Sequence, residues 1–417
     1  MRFDCSLAYD KVIFSMQRLN LLSTILFSIS AIQAINYTPE DENSNELIDS
    51  TETESSDVTN KQQIVPFVRY YENGPQVVEM LIGTPPQKLK IALTYESIGY
   101  LCVSDIVLFS RKTVHQNCKK GIKGSPKLYV PKKSRTHHYM HSHSGYTRLY
   151  WGAVHEDTIA LGTDSSRMRK HKFVIAETFE SNFSCTAEVA GVWPISAFAK
   201  EKVWLPILKS KSMPIVTMSA DRNPTISGVY STGQMTIGGL NEKTCKKTDV
   251  YQYGGLQWHF GALSYMIGKK QVPFVFKWDE FGALDLNVDR LQFGHEHLDM
   301  LLKGHKVNRN HADGFYYGDC NGNWTIGYQA AIKSSLPHEQ DGGFIYIPSK
   351  LKKQKNNQCA LRLEYQSGFA RSFKLPASIL HDHCIHLKYE SQDNNKIKDV
   401  MKYKFNDIAF SKRIDKH

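Results

Sequence analysis

The segment from Val78 to Ser104 constrains the fold more than any other part of the chain. It reads VEMLIGTPPQKLKIALTYESIGYLCVS. Apolar residues alternate with a period of two on both sides of Gly83–Pro86, which predicts a strand, a tight turn and a second strand. The second strand ends in the short polar segment Thr94–Ser97. We therefore expect a β-rich fold in which the end of this strand presents a candidate functional group.

The motif IGTPPQ at Ile82–Gln87, followed by a β-strand, resembles the N-terminal lobe of the pepsin-like aspartic peptidases. In that family the strand ends in Asp-Thr-Gly-Ser, and the aspartate is one of two catalytic carboxylates. The matching residues here are Thr94, Tyr95, Glu96 and Ser97, so only the serine is present. The resemblance implies the family's fold and argues against the family's chemistry.

Further segments resemble the family in the same order along the first half. Trp151–Gly162 resembles the segment after the substrate-covering flap, so a hairpin is expected just before it. Tyr146 or Tyr150 would then replace the flap tyrosine. Gly228–Leu240 resembles the strand pair that closes the N-terminal lobe, and Pro194 stands where the family has a glycine.

In the second half, Gly282–Asn287 fits the second Asp-Thr-Gly turn best. Asp285 then occupies the catalytic position, and the two residues after it replace the family's threonine and glycine. A rival placement puts Glu339 or Asp341 at this site. Pro376 stands where the family has a second matching glycine.

Aspartic peptidases hold two carboxylates close enough to share one proton, so that one acts as a base and the other as an acid. Asp285 alone cannot supply both an acid and a base, and Thr94 cannot deprotonate a water. The resemblance therefore implies an all-β dominated, bilobal fold with an interlobe cleft that binds a peptide or protein ligand without hydrolysis. One alternative is residual endopeptidase activity through Asp285 with Glu96 or another acid. No cofactor is expected.

The N-terminal region reads as a secretory leader. Residues 1–34 resemble a signal peptide, with Met16 as a second possible start, and the protein is expected to be extracellular. Residues 35–64 are acidic and predict a disordered linker or a prosegment remnant. The folded body is expected as two lobes, 65–240 and 241–417, and no other stretch is apolar enough to span a membrane.

The chain has a formal charge of +11, and the folded body alone has about +17. Basic residues cluster at Lys119–Arg135, Arg167–Lys172 and Lys350–Lys355. This balance favours anionic partners, so binding of an anionic glycan is the third hypothesis. No nucleic-acid motif is present, and we expect a monomer. Four histidines between His137 and His143 are interpreted as part of a loop, because no nearby cysteine or carboxylate completes a zinc site.

The chain has eight cysteines, and disulfides are the default in a secreted protein. The expected pairs, two implied by the resemblance and the last by elimination, are Cys320–Cys359, Cys102–Cys118 and Cys185–Cys245. Cys384 is then expected to be free and buried. Three glycosylation sequons fit a secreted protein: Asn36, Asn182 and Asn323.

Overall fold

The structure is a computed structural model. It describes residues 62–72, 74–95, 106–117, 126–144, 150–179, 189–195, 215–221, 227–246, 251–253, 260–273, 281–330, 344–348, 350–355, 357–365, 372–389 and 407–414. Residues 60–417 form one compact unit. The predicted leader and residues 35–61 of the predicted acidic segment lie outside the described residues. The last two residues of that segment, Gln63 and Ile64, belong to the first strand, so its predicted end at residue 64 is wrong.

The described residues form an all-β protein with few helices, as the sequence predicts. The strands before residue 240 are β1 (Gln63–Arg69), β2 (Val77–Ile82), β3 (Gln87–Thr94), β4 (Ile106–Phe109), β5 (His138–Ser144), β6 (Tyr150–Leu161), β7 (Arg169–Phe179), β8 (Gly191–Pro194), β9 (Ile215–Asp221) and β10 (Ser231–Ile237). The helices in this part are α1 (Arg111–Asn117) and the 3₁₀ turns η1 (Pro131–Lys133) and η2 (Ser165–Arg167).

The rest of the chain supplies fifteen further described strands. They are β11 (Tyr251–Tyr253), β12 (Phe260–Ile267), β13 (Lys270–Pro273), β14 (Phe281–Asp285), β15 (Leu291–Phe293), β16 (Asn308–Arg309), β17 (Tyr316–Asp319), β18 (Thr325–Ala330), β19 (Phe344–Pro348), β20 (Lys350–Lys355), β21 (Gln358–Leu361), β22 (Leu363–Tyr365), β23 (Ser372–Pro376), β24 (His383–Lys388) and β25 (Asp407–Lys412). The helices here are α2 (His295–Leu302) and the 3₁₀ helix η3 (Ala377–His381). Among the described residues, no helix combines the length and the apolar composition needed to cross a bilayer.

The strand–turn–strand segment from Val77 to Thr94 folds as the sequence predicts. Strands β2 and β3 pair antiparallel from Val77↔Ala92 to Ile82↔Gln87. The turn between them begins at Gly83, whose φ is +85°. A Cβ atom there would lie 2.7 Å from the hydroxyl of Ser134, so the turn needs glycine for both its conformation and its packing.

The described strands form three sheets. The largest has thirteen strands in the order β11-β25-β24-β9-β10-β1-β2-β3-β8-β4-β7-β6-β5. The second has the order β19-β18-β12-β14-β23-β15-β22, with β13 also pairing with β12, and the third is β16-β17-β21-β20. The thirteen-stranded sheet includes strands from both predicted lobes, whereas the other two contain only residues after 240.

A five-stranded unit occurs twice in the fold. In the first half it runs β2-β3-β8-β4-β7, with pairings that alternate antiparallel, parallel, antiparallel and parallel. In the second half it runs β12-β14-β23-β15-β22, with the same alternation. The corresponding strands also follow one another in the same chain order. The chain therefore contains an internal repeat of topology.

The repeat extends to the junction between the halves. Strands β1, β10 and β9 pair antiparallel in the first half, and β11, β25 and β24 do the same in the second. The two sets meet where β9 pairs with β24, in the register Thr217↔His386. His386 is fully buried there and makes hydrogen bonds with the hydroxyls of Thr217, at 3.0 Å, and Ser411, at 2.8 Å.

Two disulfides link described residues. Cys320 bonds to Cys359, which is the pair that the resemblance implies. Cys245 bonds to Cys384, so the predicted Cys185–Cys245 pair and the predicted free Cys384 are wrong. The elimination failed because strand β24 brings Cys384 beside the segment after β10, and this long-range contact is invisible in the sequence. Three further predicted partners lie outside the described residues: Cys102, Cys118 and Cys185.

Candidate functional site

Thr94 lies at the end of β3, where the sequence predicts the first functional group. We call it, with the adjoining end of β8, the first site. β3 and β8 are parallel, and Thr94 is in register with Pro194. The Thr94 side chain is buried, and its carbonyl accepts a hydrogen bond of 2.7 Å from the backbone N–H of Ile195. Thr94 is therefore held rigidly between two central strands.

Asp285 ends β14 at the corresponding place in the second repeat, which we call the second site. It is in register with Pro376 of the parallel strand β23, just as Thr94 is with Pro194. Asp285 is 6% exposed, and its Oδ1 accepts a hydrogen bond of 3.3 Å from the backbone N–H of Asn287. The equivalent topology places Thr94 and Asp285 at matching points of the two repeats. The rival candidates Glu339 and Asp341 lie outside the described residues.

A lysine side chain occupies the second site together with Asp285. The Nζ atom of Lys374 lies 3.7 Å from Oδ2 of Asp285, and the two side chains are only 8% and 9% exposed. Lys374 comes from the middle of β23, between the buried residues Phe373 and Leu375. A pair of opposite charges is the reverse of the two like charges that raise one pKa in an acidic dyad.

Lys374 is absent from the sequence predictions, although a signal for it existed. β23 reads SFKLP, so a lone lysine interrupts an otherwise apolar run. A charged residue is rarely buried unless it is paired, and Asp285 was already a candidate carboxylate. The sequence did not align β14 with β23, however, and the pair depends on that alignment.

The residues that follow each site are packed into the core. Tyr95 is fully buried. Its hydroxyl donates to Oε1 of Gln76 and lies 3.4 Å from the sulfur of Met218. Leu286 is also fully buried. These side chains fill the interior beneath the two strand ends. Glu96, the proposed second acid, lies outside the described residues.

Strands β5 and β6 form a β-hairpin, and Trp151, which the resemblance places just after the expected hairpin, is the second residue of β6. His138, His141 and His143, interpreted from the sequence as part of a loop, lie in β5. Strands β5 and β6 pair antiparallel from His138↔Glu156 to Ser144↔Trp151. Tyr150 begins β6, whereas the other flap candidate, Tyr146, lies in the connection outside the described residues.

Two histidine side chains, one just before β5 and one in β6, are hydrogen-bonded to each other. Nε2 of His137 and Nδ1 of His155 are 2.8 Å apart, so one ring donates and the other accepts. Burial, followed by the proximity of His137, lowers the pKa of His155 to about 4. Tyr139 packs edge-on against His155 and is 51% exposed. The hydrogen bond requires at least one neutral imidazole, which these pKa shifts favour near neutral pH.

The remaining predicted residues add little to this site. Within the described ranges, no group of three or more His, Cys, Asp or Glu side chains is arranged to hold a metal ion. Asn323 is exposed in the turn before β18, and its Oδ1 accepts a hydrogen bond from the N–H of Thr325. The other two sequons, at Asn36 and Asn182, lie outside the described residues.

No protein-family model matches the chain, and no curated protein matches it at a significant level.

Proposed function

We propose that this chain is a secreted pepsin-like pseudo-peptidase, which binds a peptide or protein ligand in a cleft between two lobes without hydrolysing it. One observation supports the loss of catalysis above all others. Of the two matching strand ends, one has Thr94 in place of a carboxylate, and the carboxylate of the other lies 3.7 Å from the ammonium of Lys374.

The chemistry follows from the charges at the two sites. A peptidase of this type needs one protonated and one ionised carboxyl group on a shared water. Thr94 supplies a hydroxyl, which can orient a water but cannot act as a base near neutral or acid pH. Loss of a general base typically lowers the rate by about 10²- to 10⁴-fold, and by more when two groups act as a unit.

The fold proposed for this function rests on two observations. The repeated five-stranded unit is the arrangement that a bilobal, duplicated architecture requires. The resemblance at IGTPPQ and at the following segments supports the pepsin-like form of that architecture. The two disulfides fit an extracellular protein.

The experiment is an incubation of the purified protein with a denatured protein substrate between about pH 3 and pH 7, beside the variant Asp285→Ala. The expected result is no cleavage by either protein. Cleavage by the parent protein that is lost in the variant would overturn the proposal and favour residual endopeptidase activity through Asp285. Retention of peptides from a random library on the immobilised parent protein measures the binding function.

A second candidate function, binding of an anionic glycan, is favoured by the position of two basic segments. Lys132, Lys133 and Arg135 are exposed around η1, and Lys170 and Lys172 are exposed on β7.

These segments are neighbours on the surface. The hydroxyl of Thr136 lies 3.4 Å from that of Thr158, and Thr158 is directly opposite Lys170. The exposed basic side chains of the two segments therefore lie near one another, and Glu156 is directly opposite Lys172.

Heparin chromatography tests this second function. The double variant Lys170→Gln/Lys172→Gln is expected to elute at lower salt, because each lost contact with a sulfate reduces the electrostatic attraction. Lys88→Gln is the matched control, since Lys88 is already paired with Glu79 at 2.7 Å. Equal elution of both variants would exclude the basic surface as the binding site.

A further inference from the structure

Strand β5 is attached to its sheet along one side. It is the last strand of the thirteen-stranded sheet and, among the described strands, it pairs only with β6. That pairing is interrupted by a register shift between Tyr139 and His141. A terminal strand can separate without breaking the pairings of the other strands, so a local contact can control the position of β5.

The contact at the start of β5 is the hydrogen bond between His137 and His155. Nε2 of His137 and Nδ1 of His155 are 2.8 Å apart. His155 is in register with Tyr139 of β5 on one side and with Phe173 of β7 on the other. The Tyr139 ring packs edge-on against it, and the Phe173 ring is stacked on it. His155 is 9% exposed, so one partner of the hydrogen bond lies in an aromatic and largely dry environment.

Titratable and charged side chains surround the pair on β5, β6, β7 and the segment before β5. Besides Tyr139, they are Tyr129, His138, Glu156, Asp157, His171 and Lys172. Burial lowers the pKa of His137, Asp157 opposes that shift, and His138 adds to it. The two oxygens of Asp157 already accept hydrogen bonds from the hydroxyls of Tyr129 and Thr136. The surroundings therefore favour two neutral rings at neutral pH.

We propose that the His137–His155 pair is an acid-sensitive contact, which holds β5 against β6 at neutral pH and lets β5 separate when both rings are protonated. A neutral imidazole has one donor and one acceptor nitrogen, whereas a protonated ring has two donors and no acceptor. Two protonated rings cannot form this hydrogen bond, and their charges repel each other at such a short distance. Protonation of histidines switches the conformation of other proteins in the same way. The change is a property of the hairpin, so it goes beyond the proposed binding function and does not depend on it.

The separation has a predicted boundary at Thr136. The Thr136 hydroxyl donates to Asp157, and the backbone N–H of Arg135 donates to the carbonyl of Thr84 at 2.7 Å. Burial alone would raise the pKa of Asp157, but the hydrogen bonds that it accepts lower the pKa overall. Asp157 therefore stays ionised at pH 5 and keeps Thr136 in place. Acid should release β5 and leave η1 and the residues up to Thr136 bound.

The first test is hydrogen–deuterium exchange of the whole protein at pH 7 and pH 5, with each rate corrected for the intrinsic exchange rate at that pH. Burial, followed by the proximity of His137, lowers the pKa of His155 to about 4, against about 6.5 in an unfolded chain. The neutral ring therefore stabilises the closed hairpin above pH 6.5, and this stabilisation is lost as the pH falls towards 4. Amide protection in β5 is expected to fall about twentyfold between pH 7 and pH 5, with little change from η1 to Thr136. Equal protection of β5 at both pH values would overturn the proposal.

Variants then locate the effect. His155→Gln is expected to lose the pH dependence of β5 protection, because it removes the buried titrating ring. His141→Gln is the matched control and is expected to keep the twentyfold change, since His141 is exposed on the same strand. A response in His155→Gln that equals that of the parent protein would contradict the proposal.

Nitrogen NMR of the histidine rings of the parent protein provides a readout that needs no variant. The proposal predicts a hydrogen-bonded ring N–H shared by His137 and His155 at pH 7. This signal should disappear on acidification over the same pH range in which β5 loses protection. Two rings that titrate independently near pH 6.5, while β5 stays protected, would contradict the proposal.

Discussion

The two strand ends of the internal repeat have the same surroundings in the backbone and different chemistry in the side chains. At the first site, Thr94 is in register with Pro194, and the residue two positions before that proline is the buried Val192. At the second site, Asp285 is in register with Pro376, and the corresponding residue is Lys374. Of the two sites, the second has both a carboxylate and a lysine, and the first has neither at the corresponding positions.

This difference shows how a repeated fold can change chemistry without changing topology. The first site has no charge, and Val192 stands where the second site has a lysine. The second site has a carboxylate with a counter-charge in the adjacent parallel strand. A buried carboxylate without a partner is costly, and a lysine is one way to stabilise it.

The largest expected effect concerns the two disulfides, which differ in the length of the loop that each closes. Cys245–Cys384 closes a loop of 139 residues that spans most of the second half, whereas Cys320–Cys359 closes a loop of 39 residues inside it. Loop-closure entropy predicts that Cys384→Ser lowers the unfolding free energy by about 5 kcal/mol, against about 4 kcal/mol for Cys359→Ser.

Urea unfolding of both variants measures these losses. Equal losses, or a larger loss for Cys359→Ser, would mean that Cys245–Cys384 contributes less than its loop length implies.

The second prediction concerns a substitution that gives the first site a carboxylate, as the second site has. Thr94→Asp places a carboxylate at a buried position of the first site, where Val192 stands at the place that corresponds to Lys374. We expect a loss of about 2–3 kcal/mol at pH 7 from desolvation of the charge. Burial raises the folded-state pKa of such a carboxyl, so the loss should shrink as the pH falls towards the pKa of the unfolded chain.

Thr94→Asn is the matched control, since it is similar in shape and has no charge. Chemical denaturation at pH 7 and at about pH 4 separates the two effects. A loss for Thr94→Asp that is independent of pH and equal to the loss for Thr94→Asn would show that the charge of the new side chain is not its cause.

Some features of the two sites could be predicted from the sequence, and others could not. The strand–turn–strand segment follows from a local pattern, namely a period of two and breaking residues. The hairpin and the choice of Asp285 are expected from the resemblance of short motifs to a known family. The pairing of β14 with β23 joins residues nearly a hundred positions apart and has no local signal. Lys374 and the Cys245–Cys384 bond depend on such long-range contacts, so the sequence missed both.

The smallest expected effect concerns the junction of the repeats. Burial lowers the pKa of His386 to about 4, below its usual value of about 6.5. The neutral ring therefore contributes stability that is present above pH 6.5 and is lost as the pH falls towards 4.

At pH 6 the loss should be about 1 kcal/mol relative to pH 8. His386→Gln removes the titrating group, so its unfolding free energy should change less between pH 8 and pH 6. Parallel pH profiles for the parent and the variant would assign the acid sensitivity to other histidines, such as His381.

The most direct test of the central claim is a double-mutant cycle at the second site, using the residues found at the first. Asp285→Thr and Lys374→Val each leave one buried charge without its partner, so each should lower the unfolding free energy by about 3 kcal/mol. The double variant should lose much less than the sum, with a coupling of at least about 2 kcal/mol. Losses that add within about 0.5 kcal/mol would show that Lys374 does not neutralise Asp285, and would contradict the account.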